Sequence, residues 1–539
     1  MLQVKEVSKS FGSQEILTDV SFTLEREQKA ALVGGNGTGK STLLKIIAGR
    51  LESDKGQIEL AQNSKLGYLP QVPELSIKRK TSVKHYLEDT IGQKIDDSLV
   101  ENYQNERSIR HRLEVMMSGF ELSDISLYSD FNNLSGGQKN KITLIATLLT
   151  DPDLLLLDEP TNNLDLPALI WLEGFLKQTK SACLIVSHDR VFLDQVTSRV
   201  LEIDRDSKLL NVNSGSYTDY LERKKKERAR QMEEYNRQQE EINRLKKRAK
   251  EKKIDAKKGS KWQGSDQDKY VRGFKRDRAI KSDKTAKALE TRIKQMEEIE
   301  KPVIAKSLTI PLTFKKRPEG QDIDLKKVSF NYPEGFQLGP LDLLVSFGDR
   351  VSLLGSNGSG KSTLLKIITG QLTPDTGSVS IGSKLIFGYL IQEHSALPVD
   401  QSSIEYIQNQ TGLSRTEAYT TLRQFGLKEK EVISPIDKLS PGCKTRMLLA
   451  VFTAKSVNTL VLDEPSNHLD LEALTALEEV LSDYQGTVLL VSHDRHLLEQ
   501  TGVNRVYQLT NGQIDRLDNL ETYLDVAEKK ARKLLKVIN

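Results

Sequence analysis

GGNGTGKSTLLKIIAG at residues 34–49 returns, nearly unchanged, as GSNGSGKSTLLKIITG at 355–370. Each copy sets the pattern GxxxxGK[ST] between a short apolar run and a segment with helical spacing. Glycines in such a turn let successive backbone N–H groups curl around phosphate oxygens. The helix that follows aims its positive end at the anion. The residues offered to phosphates are Gly34, Gly35, Asn36, Gly37, Thr38, Gly39, Lys40, Ser41 and Thr42 in the first copy. In the second they are Gly355, Ser356, Asn357, Gly358, Ser359, Gly360, Lys361, Ser362 and Thr363. Lys40 and Lys361 have the reach for β- and γ-phosphates, and Ser41 and Ser362 offer a hydroxyl to Mg²⁺. One such match is open to chance, whereas two at corresponding places of a repeat leave little room for an ordinary glycine turn.

The repeat extends outward from these turns. GYLPQ (67–71) returns as GYLIQ (388–392), LLLDEPTNNLD (155–165) as LVLDEPSNHLD (460–470), and LIVSHDR (184–190) as LLVSHDR (489–495). The offset is 321 residues from Lys40 to Lys361 and from Gln71 to Gln392, but 305 from Glu159 to Glu464 and from His188 to His493. The first half therefore carries 16 additional residues between the glutamine and the later motifs. DLLLLDEP and ACLIVSHD are continuous apolar runs that end in polar residues. Such runs suit strands buried on both faces of a mostly parallel sheet, whose ligands gather at the strands' carboxyl ends. Each copy reads as an α/β domain.

The polar residues at those ends suit phosphate chemistry. Asp158 and Asp463 are placed to hold Mg²⁺ or its water, and Glu159 and Glu464 to polarise a water for in-line attack on a γ-phosphate. A surface acidic pair is the bland reading, weakened by the P-loops upstream. His188 and His493 each follow their aspartate by 30 residues. A lone histidine is more often structural, but duplication in register points to a γ-phosphate contact. Gln71 and Gln392 fit a contact with Mg²⁺ or the attacking water. Phe11 and Tyr332 each lie 29 residues before the P-loop lysine. An aromatic there is placed to stack on adenine, with core packing as the rival reading.

LSGGQ at 134–138 completes a set that resembles the ATP-binding cassette ATPases. The resemblance implies two cassettes that pair head to tail, with each ATP between the P-loop of one and the signature of the other. It places Ser135, Gly136, Gly137 and Gln138 opposite Lys361, Gln392, Glu464 and His493. Ser440 and Gly442 would face Lys40, Gln71, Glu159 and His188, and Asp165 and Asp470 would lie in loops that cross between cassettes. The second signature reads LSPGC (439–443). Pro441 removes an N–H and Cys443 lacks the glutamine amide. The site on Lys40 is therefore expected to hydrolyse more slowly than the site on Lys361, with tolerated drift and equal sites as the rival.

Residues 222–300 differ from the rest. ERKKKERARQMEEYNRQQEEINRLKKRAKEKK lacks Gly and Pro, is rich in helix formers, and carries an intermittent stripe at Met232, Tyr235, Ile242, Leu245 and Ala249. A second helical pattern from about Arg278 holds Leu289, Ile293, Met296 and Ile299. Between them, 254–276 with Gly259, Gly264 and Gly273 reads as the loop of an antiparallel hairpin. Segment 244–281 holds 16 Lys+Arg against 5 Asp+Glu, a net +11. Charge runs are usually solvated faces. Here Lys257, Lys258, Lys261, Trp262, Lys269, Tyr270, Arg272, Lys275 and Arg276 combine cations with aromatic rings, which suits RNA phosphates and bases.

Two cassettes and a charged helical linker resemble the ABC-F family, specifically its antibiotic-resistance members. That resemblance implies a ribosome-binding ATPase using ATP and Mg²⁺. Its partners would be the 70S ribosome, P-site tRNA and 23S rRNA, with the linker near the peptidyl-transferase centre and hydrolysis driving release. A translation factor without a resistance role is the nearest alternative. Further ones are the tandem ATPase of a sugar importer, which would not be expected to carry the basic hairpin, and a DNA-repair or chromosome ATPase, a class that usually separates its cassette halves by far longer coiled coils or adds cysteine zinc modules. The expected organisation is cassette 1 at 1–221, linker at 222–303, cassette 2 at 304–525 and a short basic tail at 526–539, the cassettes pairing within one monomer.

Composition agrees. The 539 residues total +4, with 79 Lys+Arg against 75 Asp+Glu. Removing the +11 segment leaves −7, so the near-neutral total hides a basic segment on a mildly acidic body. No apolar run approaches the ~20 residues that cross a bilayer, and no membrane partner is expected. Two cysteines exclude a disulfide scaffold or a cysteine-rich metal module, and a cytoplasmic setting is the expectation.

Overall fold

The computed structural model describes residues 1–71, 81–95, 109–204, 207–260, 269–296, 322–333, 335–390, 397–466, 469 and 471–538. They fall into two compact units. One joins Met1–Thr218 with Ala305–Asn539, and the other is Asp219–Ile304.

The first unit contains both α/β copies. In the first, the central sheet runs in the order Leu66–Leu69, Leu154–Asp158, Ala182–Val186, Lys29–Val33 and Arg199–Ile203, all parallel, with Leu210–Ser214 antiparallel at one edge. Every residue of Leu154–Asp158 and Ala182–Val186 is buried, as expected of strands covered on both faces. A separate antiparallel sheet orders Gln14–Leu24, Leu2–Phe11 and Lys55–Leu60. The P-loop helix Lys40–Ile47 contributes Leu43, Leu44, Ile46 and Ile47 to one core with Leu2, Val4 and Phe22 of the antiparallel sheet and Leu154, Leu156 and Leu184 of the parallel one. That helix is thus clamped between two layers, and the phosphate turn before it is fixed by packing rather than by the turn alone.

The second copy repeats this order. Phe387–Leu390, Thr459–Asp463, Thr487–Val491, Arg350–Leu354, Arg505–Thr510 and Gln513–Leu517 form the six-stranded sheet. Gln337–Val345, Ile323–Asn331 and Thr376–Ile381 form the antiparallel one. The additional length of the first copy falls mostly between helix Val83–Ile91 and helix Ile109–Gly119. Their counterparts Ser403–Thr411 and Arg415–Gln424 follow each other almost directly.

The basic residues expected as a tail at 526–539 belong instead to helix Leu520–Ile538, which packs on helices Leu166–Gln178 and Ile109–Gly119 of the first copy. Tyr523, Ala527, Ala531 and Leu535 are its buried residues, spaced by four along one face. Gly174 leaves room for Leu535, since a Cβ there would collide with the leucine. Lys530 pairs with Glu121 at 3.0 Å. The charge of this segment was legible, but its apolar stripe decides its place.

The second unit consists of helix Tyr217–Ser260, which enters it from the first, and helix Lys269–Gln295. Leu245, Ala249, Ala279 and Ala286 are buried along it, and Arg292–Glu241 (3.3 Å) and Lys253–Glu290 (2.7 Å) link the two helices. The expected loop at 254–276 is shorter, because Gly259 and Gly273 lie inside helices. A helical glycine costs about 1 kcal/mol, which a long run of good helix formers tolerates. Among the described residues no helix is long and apolar enough to cross a membrane.

Candidate functional site

Each P-loop is a left-handed turn. Gly34, Gly37 and Gly39 have φ of 155°, 78° and 98°, and Gly355, Gly358 and Gly360 have 144°, 85° and 104°. At Gly39 a Cβ would lie 2.6 Å from Ile16, so the turn needs glycine for space as well as for conformation. Lys40 Nζ donates to the carbonyls of Gly34 (2.9 Å) and Gly35 (3.1 Å), and Lys361 Nζ to those of Gly355 (2.8 Å) and Ser356 (2.9 Å). Both ammonium groups thus already lie over the turn that would take phosphates. Burial pulls the Lys361 pKa down, against the opposing carboxylates of Glu464 and Asp165.

Asp158 and Asp463 end their strands beside the P-loop serines. Burial raises both pKa values, and the hydroxyls of Ser41 and Ser362 respectively oppose the rise. Both oxygens of Asp158 are buried without a well-aligned donor. A buried carboxylate facing a hydroxyl in this way fits an octahedral, oxygen-seeking divalent cation such as Mg²⁺.

The next residues are unusual. Glu159 and Glu464 have φ of 54° and 48°, left-handed values that cost a non-glycine residue about 1–3 kcal/mol. Long-range bonds hold them there: Glu159 N–H donates to Val186 O (2.8 Å) and Glu464 N–H to Val491 O (2.9 Å). The kink turns each carboxylate toward its histidine. His188 Nε2 lies 3.3 Å from Glu159 Oε1 and His493 Nε2 lies 3.1 Å from Glu464 Oε1. His188 N–H also donates to Glu159 Oε2 at 3.3 Å.

Burial pushes the Glu464 carboxyl up to about 8, partly offset by Lys361, and burial together with Lys361 pushes His493 down to about 3. Glu464 therefore holds a proton that the unfolded chain releases near 4.5, and its contribution to stability is lost as pH rises toward 8. Without nucleotide, Glu464→Gln should match the wild type in thermal stability at pH 5 and exceed it increasingly up to pH 8. A constant difference across that range would contradict the assignment.

The signature glutamine has a local duty. Ser135 caps helix Gly136–Leu149 by accepting from Gln138 N–H, and Gln138 Oε1 accepts from Ser135 N–H at 2.9 Å. In the second copy Ser440 accepts from Cys443 N–H at 3.3 Å, Pro441 occupies the first turn, and no side chain closes the box. Buried Cys443 instead takes a contact from Arg446 at 3.5 Å.

The two copies meet at one of these sites. Asp165 Oδ2 accepts from the Asn357 N–H of the second P-loop at 3.2 Å, and Asn163 O accepts from Asn357 Nδ2 at 2.9 Å. Lys141, on the signature helix, bonds Asp165 at 3.2 Å and Phe120 O at 3.0 Å. Burial drives the Asp165 pKa up, but Lys141, His493 and the Asn357 N–H together hold it below the usual value. Asp470 and Gln392 lie outside the described residues. Gln71 is exposed just beyond strand Leu66–Leu69.

The two aromatics differ. Phe11 is 52% exposed at its strand end with Lys9 Nζ 5.7 Å from its ring centre, whereas Tyr332 is half-buried against Phe330 and bonds Thr363 Oγ1 at 3.3 Å. In the linker, Lys257 and Arg276 are exposed on the two helices. Lys261 and Trp262, and the side chains of Lys258, Lys269, Tyr270, Arg272 and Lys275, lie outside the described residues. Reading the sequence missed Lys141 and the glutamate–arginine pairs behind the histidines. It also missed the capping box, although Ser-x-x-Gln before an apolar run is its recognised pattern.

A family profile described as "ABC transporter" matches residues 17–162 and 338–467. The YdiF protein of Bacillus subtilis is 33% identical over 99% of this chain and 83% of its own length. ABC transporter F family member 5 of Arabidopsis thaliana is 31% identical over 95% of this chain and 75% of its own. Among solved structures, an archaeal ribosome recycling factor, aABCE1, in complex with the stalk protein aP1, shares the fold at a TM-score of 0.61 and 17% identity. That match covers 97% of this chain and 92% of the other.

Proposed function

The chain belongs to the ABC-F family of ATP-binding cassette proteins, and from that premise we propose that it is an ATP-driven ribosome-binding factor. It is an ATPase, and in this reading each of its two sites is composite. The ribosomal part of the reading rests on one observation above the rest: a segment of net +11 at 244–281, carried on two long helices between the cassettes. Sharing a fold with a ribosome recycling factor is in keeping with it.

ATP binding draws the two cassettes together, since each site needs groups from both. Lys40 and Lys361 neutralise phosphate charge and Glu159 and Glu464 orient water. Ser41 with Asp158, and Ser362 with Asp463, would hold a divalent cation, which would supply charge neutralisation to the phosphates. ATP favours the closed form only by its preference for it, so the ribosome is held while ATP persists and released after hydrolysis. The finer part of the proposal is that the linker tip reaches P-site tRNA and 23S rRNA near the peptidyl-transferase centre and protects translation from antibiotics bound there. The protein would work in the cytoplasm as a monomer.

The protein carrying both Glu159→Gln and Glu464→Gln should pellet with 70S ribosomes in ATP and not in ADP. Its persistence in the supernatant with ATP overturns the ribosomal reading. For the finer part, expression in a drug-sensitive bacterium should raise tolerance to drugs of that centre, and shortening 254–276 should abolish the effect while sparing ATPase activity. An unchanged response across a panel of such drugs removes the resistance role.

A further inference from the structure

Two arginines cross between the cassettes directly behind the catalytic histidines. Arg190 follows His188 by two residues, lies 3.1 Å from Glu478 Oε2 and donates to Thr475 Oγ1 at 2.9 Å. Arg495 follows His493 by two residues and donates to both carboxylate oxygens of Glu173. The pairs obey the internal repeat, since 173 to 478 and 190 to 495 are both offsets of 305. Glu173 and Glu478 are each only 6% exposed. A buried ion pair gains little net stability over apolar residues of similar volume, because desolvation offsets its attraction. Two corresponding pairs at the same depth, Glu478 being shared with His496 Nδ1 at 3.0 Å, therefore need a reason other than stability.

The helix that carries Glu173 supplies one. Leu166–Gln178 begins at Asp165, its N-cap residue, whose carboxylate accepts from the Asn357 N–H of the second P-loop. Eight residues on, about 12 Å along the axis, Glu173 grips Arg495. One rigid helix of the first cassette thus touches both flanks of the second cassette's nucleotide site, the phosphate turn at one end and the histidine loop at the other. The loop itself is short. His493 faces Glu464, Asp494 caps the helix Arg495–Gln500, and Arg495 opens it.

We propose that Arg495 and Glu173 are positioning residues for hydrolysis: their contact fixes the spacing between the P-loop and the His493–Glu464 pair from the opposite cassette. The Arg190–Glu478 pair crosses at the corresponding place behind His188. Neither arginine needs to touch nucleotide, since each acts through the histidine two residues before it.

The test is steady-state ATPase of the full chain with Arg495→Met, Glu173→Gln, and the exchanged pair Arg495→Glu/Glu173→Arg. Misplacing the histidine loop should lower kcat about 10- to 100-fold in the single variants, with KM for ATP within about twofold, because the P-loop is untouched. The exchanged pair should recover part of that loss. Melting temperatures of the single variants within a few degrees of the wild type would confirm that folding is not the cause. An unchanged kcat in Arg495→Met overturns the proposal. So does a fall in kcat matched by a large drop in melting temperature with no recovery in the exchanged pair, which would make the contact structural only.

Discussion

Replacing Glu159 and Glu464 together by glutamine is expected to lower ATP turnover by about 10²–10⁴-fold, the usual contribution of a positioned general base. Glutamine keeps the shape of the side chain. It can still accept from the His188 N–H, and the left-handed backbone at both positions is held by bonds to Val186 and Val491 that the substitution leaves in place. The loss should therefore appear in phosphate release and spare nucleotide affinity. A residual rate above about a tenth of wild type would move the base elsewhere. The single variants then weigh the two sites. The signature proposed to face Lys361 has its closed capping box, whereas Pro441 and Cys443 leave the other without one. Glu464→Gln should accordingly remove more of the total rate than Glu159→Gln, and equal residual rates would remove the asymmetry.

Leu535→Asp is expected to release helix Leu520–Ile538 from the first cassette. Leu535 is 4% exposed and fills the space that Gly174 leaves. A carboxylate buried there without a partner costs about 3 kcal/mol or more, which shifts the docking equilibrium by about 10²-fold. Trypsin should then cut among Lys529, Lys530, Arg532, Lys533 and Lys536 far faster than in the wild type. Val526→Asp makes the matched control, since Val526 is 64% exposed on the same helix. Equal cleavage in the two variants would show that the helix is not held by this stripe.

Much of this architecture is legible in the chain because its signals are local. A P-loop is eight consecutive residues, and a strand buried on both faces announces itself by an unbroken apolar run, as the four leucines of Leu154–Asp158 do. Duplication then separates signal from chance. What escapes is set by contacts distant in sequence. Nothing at Glu159 marks a left-handed residue, since neither glycine nor asparagine stands there, and the conformation is enforced by Val186 on a neighbouring strand. Arg190 reads as an ordinary helix-start cation until Glu478 is brought to it. Gly259 and Gly273 mislead in the opposite sense, suggesting a long loop where helices continue. The stripe at Tyr523, Ala527, Ala531 and Leu535 was readable, but the basic residues between drew the eye.

The docking of helix Leu520–Ile538 on the first cassette has a consequence for biosynthesis. About 340 residues separate the end of its receptor helix Leu166–Gln178 from its own start. At roughly 5–20 residues per second, that face of the first cassette waits about 20–70 s for its cover while the intervening residues are made. Until then Trp171 and Phe175 lie on a helix that still lacks its last packing neighbour. The first cassette therefore depends for its final burial on a segment made about 340 residues later, and its receptor face stays open to chaperones throughout that interval.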